Sequence, residues 1–389
     1  MLDKAIAKLI KLEEKRQKET INLIASENYV SADVREALGS VFTNKYAEGK
    51  SRLRYYGGNA VVDELEDLVK NRALKLFGLN KNPATAGWVV NVQALSGSPA
   101  NLAVYHALVP LGEKIMGMSL DMGGHLTHGH KASVTGKLWR WSHYGVNQKT
   151  ERLDYEEILR LAKKEKPQMI VAGYSAYSRI IDFKKFRKIA DTCGAIFMVD
   201  MSHFAGLVAG SVYPPPFPYA DVITTTTHKT LRGPRAALIF SKKEYSSAID
   251  KAVFPGLQGG PHANNIAAIG VALYEAAQPA FKKYARQVVK NAKVLALSLS
   301  KGNWRIVSGG TDSHLFLVDT FARGISGGEA SKILEKAGII VNKNMIPYDS
   351  RKPADPSGIR LGTAAITTRG AKEKNMIQLA RKINNILSN

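Results

Sequence analysis

Cysteine is almost absent from this 389-residue chain: Cys193 stands alone, so no intrachain disulfide can form, and cysteine catalysis and a cysteine-based metal site are both poorly supported. It falls just before Gly194 and the apolar run 195–199, which predicts a packed, inert thiol. Long apolar runs are missing as well, none reaching the roughly 18 residues that a membrane-spanning helix requires, and no membrane partner is expected. The opening Met1-Leu2-Asp3-Lys4-Ala5-Ile6 has neither the apolar core nor the small-residue cleavage site of a secretory signal. Asp3, Glu13, Glu14 and Glu19 within the basic amphipathic stretch 1–20 speak against an organelle transit peptide, so a cytoplasmic address is expected. Acidic residues are scarce, 33 against 55 basic ones, for a net charge of +22. Such a field attracts nucleic acid, acidic membranes or anionic small molecules. The cations are diffuse, however, as at Lys282, Lys283, Arg286, Lys290 and Lys293, without aromatic platforms or a nucleic-acid motif, and a nucleic-acid partner is not expected.

What is present is an ordinary globular composition, 45% hydrophobic and 8% aromatic, on a chain long enough for two domains and a substantial core. A helix is predicted over 3–18 by the spacing of Ile6, Leu9, Ile10 and Leu12, and another over 32–42 with Ser31 as its N-cap. Helix 63–77 ending at Gly78, a strand over 88–93 and a helix opening near Ser96 follow. From 151 to 241 helix and strand alternate: helix 155–164, strand 169–172, helix 183–192, strand 195–199, strand 221–226. That alternation predicts a mostly parallel sheet flanked by helices, with ligands bound beyond the carboxyl ends of its strands. A long helical stretch over 266–299 then leads to a smaller α+β domain, with a strand at 314–319, a helix near 328–337, a strand carrying Arg360 and a closing helix over 371–387. The division expected is an N-terminal arm 1–45, a large domain 46–270 and a small C-terminal domain 271–389.

The chain is organised around residues 221–235, where a β-branched run leads to His228-Lys229-Thr230 and the turn Gly233-Pro234. Lys229 therefore stands at a strand end, where a lysine can form a Schiff base with an aldehyde or other carbonyl; a solvated loop lysine is the plain alternative until its surroundings are read. Two other strand ends carry polar residues, Tyr174-Ser175-Ala176-Tyr177-Ser178 and Asp200-Met201-Ser202-His203. Ser96-Gly97-Ser98-Pro99 at a helix start makes a phosphate cup, in which small residues let backbone amides approach an anion and hydroxyls donate to it. Lys229 to hold an aldehyde, Asp200 to keep a pyridine nitrogen protonated and a cup for a phosphate are three separate requirements of pyridoxal 5'-phosphate. His125, His128 and His130 lie within six positions, but no acidic or cysteine ligands accompany them at metal-site spacing, and no metal is expected; His125 is the candidate to stack on the cofactor's ring. Residues 44–58 concentrate Tyr46, Tyr55 and Tyr56 around one carboxylate, Glu48, which serves either as a proton shuttle or within a subunit contact. The polar cluster Ser26-Glu27-Asn28 serves equally as a capped turn or a ligand contact.

Leu23 to Asn28, Lys45 to Gly49, Arg54 to Gly58, Gly123 to Gly129, Ser175 to Ser178, Val199 to Met201, Thr224 to Thr230 and Gly256 to Pro261, in this order, resemble the signatures of the serine hydroxymethyltransferase family, fold-type I pyridoxal phosphate enzymes. The resemblance runs over nearly the whole chain. It implies Lys229 as the Schiff-base lysine, Asp200 as partner of the pyridine nitrogen, His125 as the stacking imidazole, and Ser175 and His203 as contacts to the ring and its phenolic oxygen. Gly97, Ser98 and His228, with Arg235 nearby and Tyr46 and Gly260 from a neighbouring subunit, would surround the phosphate. Arg360 would grip the amino acid's carboxylate, for which a bidentate guanidinium is suited. Ser26, Glu48 and Tyr56 would complete the substrate pocket, and Glu48, Tyr55, Leu120, Gly124, Leu126 and Asn344 would contact the pterin. The implied activity is reversible conversion of serine and tetrahydrofolate, or a related pterin, to glycine and the 5,10-methylene-pterin, in a homodimer with shared sites or a tetramer. A pterin-independent β-hydroxy-amino-acid aldolase and a non-catalytic RNA-binding or scaffold protein are the alternatives. The chain departs from the family's usual residues at Leu95, Pro99 and 262–265, and at Ser202 and Phe204, where alanine and a small aliphatic are usual.

Overall fold

The computed structural model describes residues 3–79 and 87–388. Met1 and Leu2 of the amphipathic start lie outside them. Helix α1 (Lys4–Glu19) is capped by Asp3, whose carboxylate accepts from the amides of Ala5 and Ile6, and it buries no residue of its own. After β1 (Ile21–Asn22), α2 (Ala32–Leu38) begins at Ser31 as expected but ends four residues early. Gly39 closes it, and a separate 3-10 turn, Val41–Asn44, follows. A small hairpin, β2 (Gly49–Lys50) and β3 (Leu53–Arg54), precedes α3 (Ala60–Leu76), which starts three residues before the apolar periodicity suggested.

The large sheet contains β4 (Trp88–Asn91), β5 (Lys114–Met118), β6 (Arg140–Tyr144), β7 (Met169–Gly173), β8 (Ile196–Asp200), β9 (Val222–Thr226) and β10 (Ala237–Lys242). Its seven strands run in the order β4-β10-β9-β8-β7-β5-β6. The pairs from β9 to β6 are parallel, and β10 is antiparallel to both of its neighbours. Strands β7 and β9 are buried along their whole lengths, which is why their sequences read as continuous apolar or β-branched runs without alternation. Helices α4 (Gly97–Leu108), α5 (Val134–Leu138), α6 (Tyr155–Glu165), α7 (Phe183–Cys193), α8 (Ala205–Ala209) and α9 (Lys243–Lys251) accompany these strands. Cys193 ends α7 half-buried, and burial pushes its thiol pKa up, as suits an inert residue.

The helical stretch predicted as one over 266–299 is two helices, α10 (Ala263–Ala276) and α11 (Pro279–Lys301). Pro279 lacks the amide that would continue α10 and instead occupies the first turn of α11. The second sheet has four strands, β11 (Arg305–Ile306), β12 (Leu315–Asp319), β14 (Asn342–Asn344) and β15 (Gly358–Gly362), all antiparallel, in the order β11-β12-β15-β14. Helices α12 (Gly327–Lys336), α13 (Ala364–Thr368) and α14 (Glu373–Ser388) surround it, and β13 (Ile339–Ile340) pairs in parallel with β1. The two sheets have separate apolar clusters, one around Phe186, Phe197 and Phe204, the other around Phe316, Leu361 and Ile383.

Candidate active site

Parallel strands end with their carbonyl ends on one side of a sheet, so residues following β7, β8 and β9 converge. They line a cavity of about 270 Å³ together with the start of α4, the loop holding His125, and Ser26 and Glu27. Of the residues predicted from the sequence, Ser26, Gly97, Ser98, His125, Ser175, Asp200, His203, His228, Lys229 and Arg235 all line this one space.

Asp200 ends β8 and is 6% exposed. Gly173, its register partner on β7, allows the approach, since a Cβ there would stand 2.4 Å from the carbonyl oxygen of Asp200. One carboxylate oxygen, Oδ2, accepts from Asn101 Nδ2 at 2.8 Å and lies 3.4 Å from His128 Nε2; the other accepts the Ser202 amide at 3.0 Å. Burial alone would raise the carboxyl's pKa, but the hydrogen bond and charge of His128, with His125 and Asn101, outweigh it and hold Asp200 ionised. Asn101 is fully buried at the centre of this network: Nδ2 also donates to Thr127 Oγ1 at 2.8 Å, and Oδ1 accepts from Thr224 Oγ1 at 2.7 Å. Thr127 in turn fixes His125, whose Nδ1 accepts the Thr127 amide at 3.2 Å and lies 2.7 Å from Thr127 Oγ1. Burial, then the neighbouring His128, lowers the His125 pKa to about 4, so the ring is neutral at pH near 7.

Lys229 stands three residues past the end of β9, and its Nζ donates to Thr226 Oγ1 at 2.8 Å. Burial lowers its pKa to about 8; the Asp200 charge opposes this, while Arg360 and Arg235 reinforce it. A sizeable fraction of neutral amine is therefore present near neutral pH. Next to it, His228 Nδ1 is buried without a hydrogen-bond partner among the described residues, and burial with the Lys229 charge lowers its pKa to about 3. Across the cavity, His203 Nδ1 lies 3.3 Å from His314 Nε2 with the rings stacked, and burial pushes both imidazoles toward the neutral form.

Arg360, on β15 of the second sheet, reaches this region by donating from Nη1 to the Ser175 carbonyl at 2.6 Å, while Nε donates to Asn342 Oδ1 at 3.1 Å. Its Nη2 has no acceptor among the described residues, and burial lowers its pKa to about 10 without removing its charge at pH near 7. Lys229 and Arg360 thus come from the two different sheets, as expected.

These groups fit pyridoxal phosphate. Ser96 makes no side-chain cap bond at the start of α4, leaving the amides of Gly97 and Ser98 free for an anion, with the unpartnered His228 Nδ1 beside them. Gly97 has no room for a side chain, since a Cβ would meet Thr226 Cγ2 at 2.7 Å. An ionised carboxylate and a partly neutral lysine face the same space.

The remaining predicted residues do not line the cavity. Tyr46 OH donates to Glu48 Oε1 at 3.2 Å beside Gly260, where a Cβ would touch the tyrosine ring at 3.4 Å. Tyr46, Tyr55 and Tyr56 are 53%, 75% and 50% exposed. Leu126 lies with Ser98 and Pro99 in a neighbouring apolar cleft of about 390 Å³. Leu120 begins a 3-10 turn, Gly124 lies against the Met118 carbonyl, and Asn344 contacts Asn342, the partner of Arg360. Sequence reasoning missed Asn101, Thr127, His128, Thr226, His314 and Asn342. For His128 the signal was at hand, since it is the second histidine of the cluster assigned to His125; Asn101 sits one turn into the helix opened by the phosphate cup.

The sheet order, the lysine and aspartate at adjacent strand ends and the helix-borne anion cup define a fold-type I pyridoxal phosphate enzyme. A family model described as serine hydroxymethyltransferase matches residues 1–383. A protein of that name from Koribacter versatilis is 55% identical over 377 residues, covering 97% of this chain and 87% of its own. Those from Desulfotalea psychrophila and Acidobacterium capsulatum are each 54% identical, over 387 and 381 residues, covering 100% and 98% of this chain and 89% and 87% of their own. The chain belongs to the serine hydroxymethyltransferase family.

Proposed function

We propose that this chain carries out the reaction for which its family is named, moving the hydroxymethyl carbon of serine to tetrahydrofolate and releasing glycine. The observation that carries the reading is that Lys229 and Asp200 line one cavity, and that Arg360 reaches its edge by donating to the carbonyl of Ser175, a residue of the lining. Pyridoxal phosphate, when bound, supplies an aldehyde for an amine and a ring that accepts the electron pair released as a bond to the α-carbon breaks. Lys229 would provide the amine, and Asp200 would hold a proton on the ring nitrogen. His125 would lie against the ring, and Ser175 and His203 would contact its edge and phenolic oxygen. Gly97, Ser98, His228 and Arg235 would bind the phosphate. Arg360 orients serine by its carboxylate, with Ser26 beside it.

Glu48 moves the proton of the serine hydroxyl or of the pterin nitrogen, and Tyr56 completes the amino-acid pocket. Tyr55, Leu120, Gly124, Leu126, Asn344 and Glu48 contact the pterin. Because Tyr46, Glu48, Tyr55, Tyr56 and Gly260 stand outside the cavity of their own chain, they serve the cavity of a second copy in a homodimer. The exposed apolar residues Val41, Leu53, Val61 and the stripe Ile6, Leu9, Ile10 on α1 support that assembly. The division into 1–45, 46–270 and 271–389 and a cytoplasmic location belong to the same reading; among the described residues no helix is long and apolar enough to cross a membrane.

The test is glycine formation from serine by the cofactor-loaded protein with and without tetrahydrofolate. Strict dependence on the pterin is the expected result. Equal release of glycine and free aldehyde without pterin would replace the reading with an aldolase, and a protein that binds no cofactor would end it.

A further inference from the structure

The parallel ladder between β8 and β9 ends at the pair Asp200 and Thr224. Two residues further on, the Thr226 amide is buried and faces the β8 side, because the opposite side of β9 is occupied by β10. Its acceptor is a side chain: Ser202 Oγ takes the Thr226 amide at 3.0 Å. The two residues are joined a second time, since Thr226 Oγ1 donates to the Ser202 carbonyl at 3.4 Å. That same Thr226 oxygen accepts Lys229 Nζ, and the Ser202 amide donates to Asp200 Oδ1. One residue therefore connects the carboxylate at the end of β8 with the lysine beyond β9. Ser202 is 8% exposed and lines the cavity, and its own proton has no acceptor among the described residues.

We propose that Ser202 is a positioning residue for Lys229, acting through Thr226, so that its hydroxyl sets the geometry and proton affinity with which the lysine captures an aldehyde. The inference rests on Lys229 being the lysine that holds the cofactor. With the hydroxyl present, Thr226 is fixed by two hydrogen bonds, and donation from its Oγ1 to the Ser202 carbonyl strengthens that oxygen as an acceptor for Nζ. An acceptor held in place favours the ammonium form, offsetting part of the effect of burial and of the nearby Arg360 and Arg235 charges, as Asp200 also does. The groups that share the field of Lys229 are Asp200 from β8, Arg360 from β15, Arg235 and His228 from its own loop, and His125, His203 and His314 from the facing segments. Without the hydroxyl, the Thr226 amide is left buried and unpaired, and Thr226 loosens. The lysine then becomes more acidic and less well placed.

The experiment is capture of pyridoxal phosphate by the cofactor-free protein, followed by absorbance across pH. In the reaction the neutral Nζ adds to the aldehyde carbon, a C=N bond forms and the aldehyde oxygen leaves as water; no oxidant or reductant takes part. Ser202→Ala is expected to lower the limiting rate of capture several-fold and move the midpoint of its pH profile downward, while Ser202→Thr, which keeps the oxygen, restores both. In a Thr226→Val background, where Lys229 has lost its acceptor, Ser202→Ala should move the midpoint no further. A merely structural role would lower the melting temperature and leave the midpoint unmoved. An S202A profile identical to that of the unsubstituted protein, or the same shift in the Thr226→Val background, overturns the inference while leaving the site intact. Capture that persists unchanged in Lys229→Ala would instead show that the lysine itself has been misassigned.

Discussion

Two regions of this molecule carry chemistry-bearing residues in opposite ways. At the ends of β8 and β9, Asp200, Asn101 and Thr226 are buried and Lys229 is half-buried; Asn101 donates to Asp200 and Lys229 to Thr226, and Asp200, Thr226 and Lys229 line the cavity. In the hairpin region 46–58, the tyrosines are exposed, and the Glu48 carboxylate accepts from the Tyr46 hydroxyl, away from that cavity. The hairpin is nevertheless rigidly mounted. Arg54 donates to the carbonyls of Ala47 and Gly49 at 2.9 and 2.7 Å and pairs with Asp63 and the fully buried Glu66 on α3. A single chain can thus bring the lysine and the carboxylate of its cofactor site together by itself while presenting a second, firmly held set of groups outward, and in the proposed reading that set serves a second copy.

Substitutions can break this comparison from either side. The largest effect is expected at Lys229→Ala, which should abolish covalent capture of the cofactor and reduce serine turnover by about 10⁴-fold or more. Glu48→Gln should reduce turnover about a thousandfold while the visible spectrum of the bound cofactor stays as it was, separating the outward set from the inward one. At the seam between the two sheets, Arg360→Lys keeps the charge but loses the planar fork, and KM for serine should rise roughly thirtyfold with a smaller change in kcat. Removing one donor to the carboxylate, by Asn101→Ala, should weaken cofactor affinity about tenfold by direct titration. The smallest effect needs no substitution: because ammonium cannot attack an aldehyde and the Lys229 pKa lies at about 8, capture should speed up about fivefold from pH ~7 to pH ~8 and level off above pH ~9. A rate that falls as pH rises over that interval would contradict the neutral-amine account.

The inward set was largely legible from the amino-acid sequence. Strand ends in a parallel sheet are predictable from β-branched runs, and polar residues placed directly after them, as at Asp200 and Lys229, announce a shared cleft. Groups that act through other groups were not legible. Asn101 and Thr127 are ordinary helix and loop residues until folding brings Asp200 and His125 beside them, and Thr226 reads as strand-forming rather than as the partner of a lysine. A helix start was legible where a cap is local, as at Ser31. Helix boundaries were missed at Leu38, where Gly39 closes the helix and a separate 3-10 turn continues the apolar pattern, and at Pro279, where a proline starts the next helix. The stretch 44–58 stood out by its aromatic crowding, though not as a hairpin, and nothing in it says which chain's cavity those residues face.

The central claim, that the inward set of one chain works with the outward set of another, is tested most directly by mixing two inactive variants. Lys229→Ala and Glu48→Gln should each be nearly inactive alone; co-expressed, they should form hybrid dimers in which one of the two cavities has both Lys229 and Glu48. Activity of about a quarter of the unsubstituted enzyme is predicted for random pairing. A mixture no more active than its separate components, in hybrids shown to have formed, would place both sets of groups within a single chain and contradict the account.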